Sequence, residues 1–330
     1  MKRVAICVLL SGACSTSPSA STSSGDAGHG GAIQGPEGPI PDASSTVDSS
    51  TVDSSTVSST VDAGIPDATS PEGGAEATAT TPGAHVRFAD WTSDAPAAGF
   101  SFCLSPNGTS TWMGPFLPQG LPFPGTAGAY ADVPPGSYEV QVVAAPGGDC
   151  STGVIPASYG LPTLVDGTYA TIATLGNLMP SGGDASMKVA AFLDDVSGTP
   201  GGLRLRAINA GSEIGYAEIG TGSQAAGNFS VVFPDVAFGT AATMTVDGGT
   251  TDPNGYALLG PLSGVELSAY PVVGNTTQSA TASQVSLGAG IAATLVIVGA
   301  ADNGPPPQIV ICNDVAAAGG AASPCTLYSQ

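Results

Sequence analysis

Two aspartates form the chain's clearest arrangement for acid–base chemistry. Asp90 and Asp94 lie four positions apart, and paired carboxylates perform glycoside hydrolysis as general acid, base or nucleophile. Other catalytic groups are scarce, because the two histidines, His29 and His85, form no His-x-x-x-His pair and no G-x-S-x-G pattern occurs. We therefore expect a protein that is not an enzyme, and keep a carboxylate-based hydrolase as an alternative hypothesis.

Acidic side chains cluster at further places where a metal ion could bind. The segment 247–255 offers two aspartates and an asparagine, whereas calcium takes about six to eight oxygen ligands, so an ordinary turn is the favoured interpretation. Asp194-Asp195 and Asn313-Asp314 end matching segments of the chain. We interpret them as a repeated strand-ending turn, with a shared calcium site as the alternative, and expect no metal or cofactor.

The N-terminus, residues 1–14, has the form of an export signal. A cationic start, Met1–Arg3, precedes the apolar run Val4–Leu10, which is too short to cross a bilayer. The stretch Leu10–Cys14 resembles a bacterial lipoprotein lipobox, which implies that Cys14 becomes the lipidated first residue of the mature chain. Simple secretion without a lipid is the alternative.

Four cysteines remain beyond the signal, and they allow three pairings. An exported protein meets an oxidising compartment, which favours disulfides. Because two cysteines fall in each half of the folded part, we predict that Cys103 pairs with Cys150 and that Cys312 pairs with Cys325. A metal site is the less favoured interpretation, since no C-x-x-C and no paired histidine are present.

Residues 15–83 show no periodic apolar pattern. Ser, Thr, Ala, Gly, Pro and Asp dominate, and the motif S-T-V-D-S repeats with drift through residues 45–62. Such a composition buries too little apolar surface to offset the entropy of an ordered chain. We predict a disordered stalk that spans about 40 to 50 Å on average. A strand formed by the Thr-Val alternation is the alternative.

The charge of the chain is strongly negative. Its formal net charge is −20, and removal of the signal leaves four cations against 26 acids. Because nucleic-acid binding depends on Lys and Arg neutralising phosphates, we expect no nucleic-acid partner. Anionic lipid head groups would repel the chain as well, so we expect membrane attachment only through the lipid anchor.

A repeated pattern indicates two copies of one domain. The string L-x-x-G-x-x-A-T-x-x-x-x-G occurs at Leu164–Gly176 and again at Leu287–Gly299, 123 residues later. The chain also contains 47 glycines and 28 prolines, which disfavour helix interiors and are typical of short strands joined by turns. We predict an all-β protein with two tandem immunoglobulin-like β-sandwich domains, at 84–200 and 201–330, after the disordered stalk.

Individual strands are predicted from alternating or apolar runs bounded by Gly, Pro and Asp. Leu164–Gly176 has small or apolar residues on both faces, so we expect a strand that lies centrally in its sandwich. The first strand is expected to break at Asp90. The remaining predicted strands are His85–Ala89, Gly99–Leu104, Tyr138–Val143, Lys188–Leu193, Leu203–Ala210, Asn228–Phe233, Ala242–Val246, Val265–Tyr270 and Gln308–Asp314.

Several motifs of the first repeat together resemble a known family. They resemble bacterial cell-surface domains classed as domain-of-unknown-function family 4397. The motifs that carry this resemblance are Val86-Arg87, Ser93–Pro96, Leu121–Phe123, Val133–Val140 and the L-x-x-G-x-x-A-T strand. The resemblance covers most of the first repeat and, more weakly, the second. It implies tandem β-sandwich domains outside the cytoplasm, and it implies no known reaction.

The candidate binding residues are Trp91, Asp94, Trp112 and Phe116, in Pro- and Gly-rich segments of the first repeat. Exposed aromatics on loops stack on sugars or pack on a protein partner, whereas buried ones would close the ends of the sandwich core. With the signal, these features predict an exported lipoprotein of the cell envelope, anchored at the outer membrane or cell surface, that binds an unknown protein or glycan. A structural or spacer role without a specific ligand is the other interpretation.

Overall fold

The computed structural model describes residues 83–155, 158–182, 184–272, 279–299, 304–321 and 324–328. The chain divides into two units, Met1–Gly74 and Ala75–Gln330, and every described residue belongs to the second. The predicted signal, the predicted lipidation site Cys14 and the predicted stalk up to residue 82 lie outside the described residues. No helix within the described ranges is long and apolar enough to cross a membrane.

The first sandwich is built from two facing sheets. In one sheet the strand order is β3-β1-β6-β7, and in the other it is β2-β4-β5. The central pair β1 and β6 runs parallel, and the other neighbouring pairs are antiparallel. The strand bounds are β1 Ala84–Thr92, β2 Phe100–Pro106, β3 Ala131–Val133, β4 Tyr138–Ala144, β5 Tyr159–Gly160, β6 Tyr169–Gly176 and β7 Lys188–Asp194.

Alternation along the strands places one face of each sheet in the core of the first sandwich. Val86 and Phe88 of β1 and Ile172 of β6 pack against Phe102 of β2 and Val140 of β4, and all five are buried. Because successive strand residues point to opposite faces, Glu139 and Gln141 of β4 face outward, as the alternation of Tyr138–Val143 predicts.

The second sandwich repeats this arrangement. Its sheets have the strand orders β11-β8-β14-β15-β16 and β10-β9-β12-β13, and β8 runs parallel to β14 as β1 does to β6. The bounds are β8 Leu203–Asn209, β9 Tyr216–Thr221, β10 Ser230–Ala237, β11 Tyr256–Leu259, β12 Leu262–Pro271, β13 Ala280–Leu287, β14 Ile291–Val298, β15 Gln308–Asn313, α1 Asp314–Ala318 and β16 Cys325–Tyr328. The prediction of an all-β sandwich protein is confirmed.

The two sandwiches pack against each other through the outer faces of the β3-β1-β6-β7 and β11-β8-β14-β15-β16 sheets. Trp91, Leu175 and Phe192 of the first repeat share an apolar cluster with Ile208 and Val296 of the second. The repeated strand β6 is therefore apolar on both faces because one covers its own core and the other covers the second sandwich. The sequence predicts that this strand lies centrally in its own sandwich, which explains the face that covers the first core but not the face that contacts the second sandwich.

Three strand predictions need correction. Strand β1 does not break at Asp90 but continues to Thr92, because it stays paired with β6 as far as Gly176. The segment Ala242–Val246 is not a strand, because its backbone makes only single hydrogen bonds to neighbouring strands, from Ala242 to Ala207 and from Val246 to Val232, and Met244 within it is 48% exposed. The strand expected at Leu164–Gly176 begins only at Tyr169, because the chain turns between Val165 and Thr168. The predicted strands also omit β9 and β13, in which Gly and Ser interrupt the apolar alternation, and the short strands β3, β5, β11 and β16.

Both predicted disulfides are confirmed. Cys103 of β2 bonds to Cys150 in the loop after β4, and Cys312 of β15 bonds to Cys325 of β16. The first bond fixes a loop against the outer face of the β2-β4-β5 sheet. The second joins directly paired residues of neighbouring strands and encloses the short helix α1.

Candidate functional site

The structure separates the four predicted binding residues. Trp91 lies in strand β1, not in a loop, and is only 1% exposed because the second sandwich covers it. Phe116 is half-buried and packs on the ring of Phe88 at the edge of the first core. For these two rings, the interpretation as core residues is the one that fits the structure.

Asp94 has a structural role in the first sandwich. Its two carboxylate oxygens accept hydrogen bonds from the backbone N–H groups of Leu178 and Met179, the latter at 2.8 Å. These bonds tie the loop after β1 to the chain after β6. The carboxylate thus satisfies backbone donors that would otherwise lack partners at the end of the sheet.

Trp112 differs from the other three because it lines a surface cleft. The cleft has a volume of about 460 Å³ and lies on the outer face of the β2-β4-β5 sheet, on the side of the first sandwich that faces away from the second. The indole is half-buried. The remaining lining residues are Gln141, Ser151, Thr152, Gly153, Ile155 and Ser158.

Backbone and disulfide bonds hold the two walls of this cleft. Met113, next to Trp112, exchanges two backbone hydrogen bonds with Leu104 of β2 at 2.7 and 3.1 Å. On the opposite wall the Cys103–Cys150 disulfide fixes the loop. The amide of Gln141 donates to the carbonyl of Cys150 at 3.1 Å and accepts from the N–H of Gly153 in the orientation that satisfies both neighbours. The cleft is therefore shaped by covalent and main-chain constraints before any ligand arrives.

The rim of the cleft is rich in hydrogen-bond acceptors. The hydroxyl of Ser151 donates to the carboxylate of Asp149, and the hydroxyl of Ser158 donates to Glu139 at 3.0 Å. The hydrogen bonds from Ser151 lower the pKa of Asp149, so that carboxyl stays ionised at neutral pH. The oxygen of Ser158 keeps its lone pairs for an incoming donor, and that of Ser151 keeps one, because the hydroxyl of Thr152 lies 3.5 Å from it.

Asp90, the other carboxylate considered for catalysis, points into the first sandwich and is fully buried. Its Oδ1 accepts hydrogen bonds from the N–H of Thr92 at 3.0 Å and from the hydroxyl of Thr174 at 2.9 Å. Its Oδ2 has no hydrogen-bond partner among the described residues. Burial raises the pKa of Asp90 to about 7, and the hydrogen bonds only partly oppose this effect.

The aspartates that recur at the ends of matching strands meet between the two sandwiches. Arg87 of the first repeat bonds to Asp314 of the second, and Arg206 of the second bonds to Asp194 of the first. All four side chains are buried. The guanidinium groups thus occupy the place that the alternative hypothesis gave to a shared calcium ion. No cluster of three or more metal-ligating side chains occurs among the residues that the structure describes.

The two threonines of the repeated sequence pattern complete this arrangement. Nε of Arg87 donates to Thr171 at 2.7 Å, and Nε of Arg206 donates to Thr294 at 3.1 Å. Burial disfavours the charged form of Asp194, but the adjacent guanidinium groups outweigh burial and lower its pKa. The four groups therefore form two crossed ion pairs at the centre of the contact between repeats, which we call the inter-repeat network.

The segment 247–255 forms the ordinary turns that the sequence favours. Asp247 accepts from the hydroxyl of Thr245 and from the N–H of Gly249. Asp252 accepts from the N–H of Tyr256 at 2.9 Å and pairs with Arg204. Both carboxylates are therefore engaged within the protein.

Sequence reasoning missed most of the cleft and both arginines of the inter-repeat network. A signal for Arg87 and Arg206 is present, because each stands at the same place in the first strand of its repeat and is surrounded by apolar residues. Gln141 lies on the polar face of an alternating strand. Nothing local marks Ser151 or Thr152, since the disulfide brings their loop to the cleft.

Comparison with known proteins leaves the family open. No family model matches the chain, and no curated protein is significantly similar to it. The resemblance of Val133–Val140 and the other motifs to domain-of-unknown-function family 4397 therefore stays a prediction.

Proposed function

We propose that this chain is an exported, non-enzymatic binding protein of the bacterial cell envelope, anchored by a lipid on Cys14. The cationic and apolar start and the lipobox-like stretch support export and anchoring. The two disulfides are compatible with an extracytoplasmic location. The segment 15–83 serves as a stalk that keeps the sandwiches away from the membrane.

The cleft at Trp112 carries the proposal that the sandwiches bind a ligand. Binding sites combine concave shape, an aromatic or apolar wall and a few placed polar groups, and this cleft has all three on a face that the second sandwich leaves open. The unknown ligand is a protein or a glycan of the envelope or of a neighbouring cell.

The other two hypotheses receive less support from the geometry. A hydrolase based on Asp90 and Asp94 needs both carboxylates at one substrate, yet Asp90 is fully buried and the oxygens of Asp94 accept backbone hydrogen bonds. A spacer without a ligand would make no use of the preformed cleft. We therefore place binding first, and the spacer role becomes the outcome expected if no ligand is found.

Array binding with matched variants tests the proposal. The full-length protein, Trp112→Ala and Tyr216→Ala are each applied to a glycan array and to a protein array. Tyr216 is the control because it is an aromatic residue, 56% exposed, on the second sandwich. We expect at least one immobilised glycan or protein to bind the wild type and Tyr216→Ala equally and to bind Trp112→Ala weakly or not at all. If no feature on either array depends on Trp112, the binding proposal is wrong.

A further inference from the structure

We infer that the Trp112 cleft binds an uncharged saccharide, with one pyranose ring lying against the indole. This inference rests on the proposed function, because it names the ligand class of the same cleft. Three properties of the cleft support it: its single aromatic wall, its surplus of hydrogen-bond acceptors and its negative surroundings.

The aromatic wall suits the flat face of a sugar. A pyranose presents axial C–H groups on one side, and these carry a partial positive charge that complements the negative face of an aromatic ring. Trp112 supplies such a ring at the surface, and Ile155 adds an apolar contact nearby. A planar ligand such as a nucleobase would stack on this wall equally well, so the choice between a nucleobase and a sugar depends on the polar groups of the cleft.

Those polar groups favour a ligand with many hydroxyl donors. The serine hydroxyls at the rim already donate to Asp149 and Glu139, so Ser151 and Ser158 present acceptor oxygens to the cleft. The two carboxylates have further lone pairs. An acceptor-rich rim is complementary to the outward-pointing hydroxyls of a sugar, each of which donates one hydrogen bond.

The charge around the cleft opposes acidic ligands. Four cations follow the signal, and all lie elsewhere: Arg87 and Arg206 in the inter-repeat network, Arg204 beside Asp252, and Lys188 over the ring of Phe238. Among the described residues that line the cleft there is no cation, while the carboxylates of Asp149 and Glu139 are bonded to two of its lining serines. Anionic saccharides and phosphate-bearing ligands are therefore repelled.

A cationic ligand is less well served than an uncharged one. Recognition of ammonium groups uses several aromatic faces around the charge, whereas Trp112 is the one aromatic ring among the described residues that line this cleft. An uncharged saccharide thus fits the cleft better than an amine-bearing one.

Tryptophan fluorescence gives a direct test, since the chain contains only two tryptophans. Trp91 is 1% exposed and lies between the sandwiches, so a ligand in the cleft does not contact it and its contribution to the emission stays constant. In mildly acidic buffer, where the amines of chitosan are protonated, the full-length protein is titrated with cellohexaose and chitohexaose as uncharged probes, with chitosan hexamer as a cationic probe and with oligogalacturonate as an anionic probe. We expect an uncharged probe to change the Trp112 emission, with about tenfold weaker binding or none for the other two classes.

Variants separate failure of this inference from failure of the proposed function. Trp112→Phe keeps an aromatic wall and is expected to retain binding of the uncharged probe, measured by calorimetry, whereas Trp112→Ala weakens it by about tenfold or more. Tyr216→Ala should bind as the wild type does. The saccharide inference is wrong, and the binding proposal stands, if the protein prefers the cationic or the anionic probe. The same holds if binding depends on Trp112 on the protein array alone. Binding of the uncharged probe by Trp112→Ala with wild-type affinity overturns the inference as well.

Discussion

Replacement of Asp90 by asparagine should stabilise the protein at neutral and alkaline pH. The carboxyl is fully buried, and its Oδ2 has no hydrogen-bond partner among the described residues. The second repeat already holds the uncharged equivalent, because Asn209 occupies the matching strand position and its Oδ1 accepts from the N–H of Gly211. Asp90→Asn keeps the acceptor oxygen that Thr92 and Thr174 use and removes the buried charge.

The magnitude follows from the pKa of Asp90, which burial raises from 3.8 to about 7. A folded-state pKa above the unfolded value means that the folded protein binds more protons between these limits, so stability falls as pH rises from about 4 to about 7. The full penalty above that window is about 4 kcal/mol. Below about pH 4 the carboxyl is protonated in both states, and the penalty vanishes.

Urea unfolding measured at several pH values tests this reasoning. Asp90→Asn should match the wild type within about 1 kcal/mol at low pH and exceed it by up to about 4 kcal/mol near pH 8. Asp166→Asn is the matched control, since Asp166 lies on an exposed turn and its replacement should change stability by less than about 0.5 kcal/mol at any pH. A stability difference between Asp90→Asn and the wild type that does not change with pH would refute the reasoning.

Three further predictions concern the inter-repeat network, the second disulfide and the anchor. Arg87→Met leaves a buried carboxylate without its guanidinium and should lower the free energy of unfolding by about 3 to 5 kcal/mol. Arg204→Met, at a side chain that is 24% exposed, should cost less, about 1 kcal/mol, and equal losses in urea melts would argue against a special role for the network. Replacing Cys312 and Cys325 by serine should cost about 3 kcal/mol, measured by the same melts, and an unchanged midpoint would contradict this. Cys14→Ser should abolish the acyl mass in intact-mass spectra of membrane-extracted protein, whereas an identical mass gain in both proteins would exclude lipidation at that residue.

Local pattern predicts the strands that are continuously apolar or alternate cleanly, whereas it misses β9 and β13, in which Gly and Ser interrupt the alternation. The alternation of Tyr138–Val143 identifies an inner and an outer face, and the repeated pattern at Leu164 and Leu287 identifies matching strands of two sandwiches. Even the disulfide pairing follows from which half of the chain holds each cysteine. These properties depend on short-range periodicity and on simple constraints of chain order.

Prediction fails where a side chain depends on the other repeat or on a distant loop. Trp91 resembles a loop aromatic because the polar residues Asp90 and Thr92 flank it. It is nevertheless buried by the second sandwich, and the pattern within one repeat does not reveal this contact. Ser151 contributes to the cleft only because the Cys103–Cys150 disulfide carries its loop across the sheet. The inter-repeat network was overlooked for the same reason, since each ion pair joins residues from different repeats.

The most direct test of whether the outer face of the first sandwich is the binding surface is hydrogen–deuterium exchange. It is measured on the full-length protein with and without a pool of uncharged oligosaccharides. Bound ligand slows exchange where it covers or orders the backbone. We predict slower exchange in segments 111–113 and 150–153, which form the two walls of the cleft, and unchanged exchange in strands β9 to β13. Slower exchange confined to the second sandwich, or no change anywhere, would contradict the account.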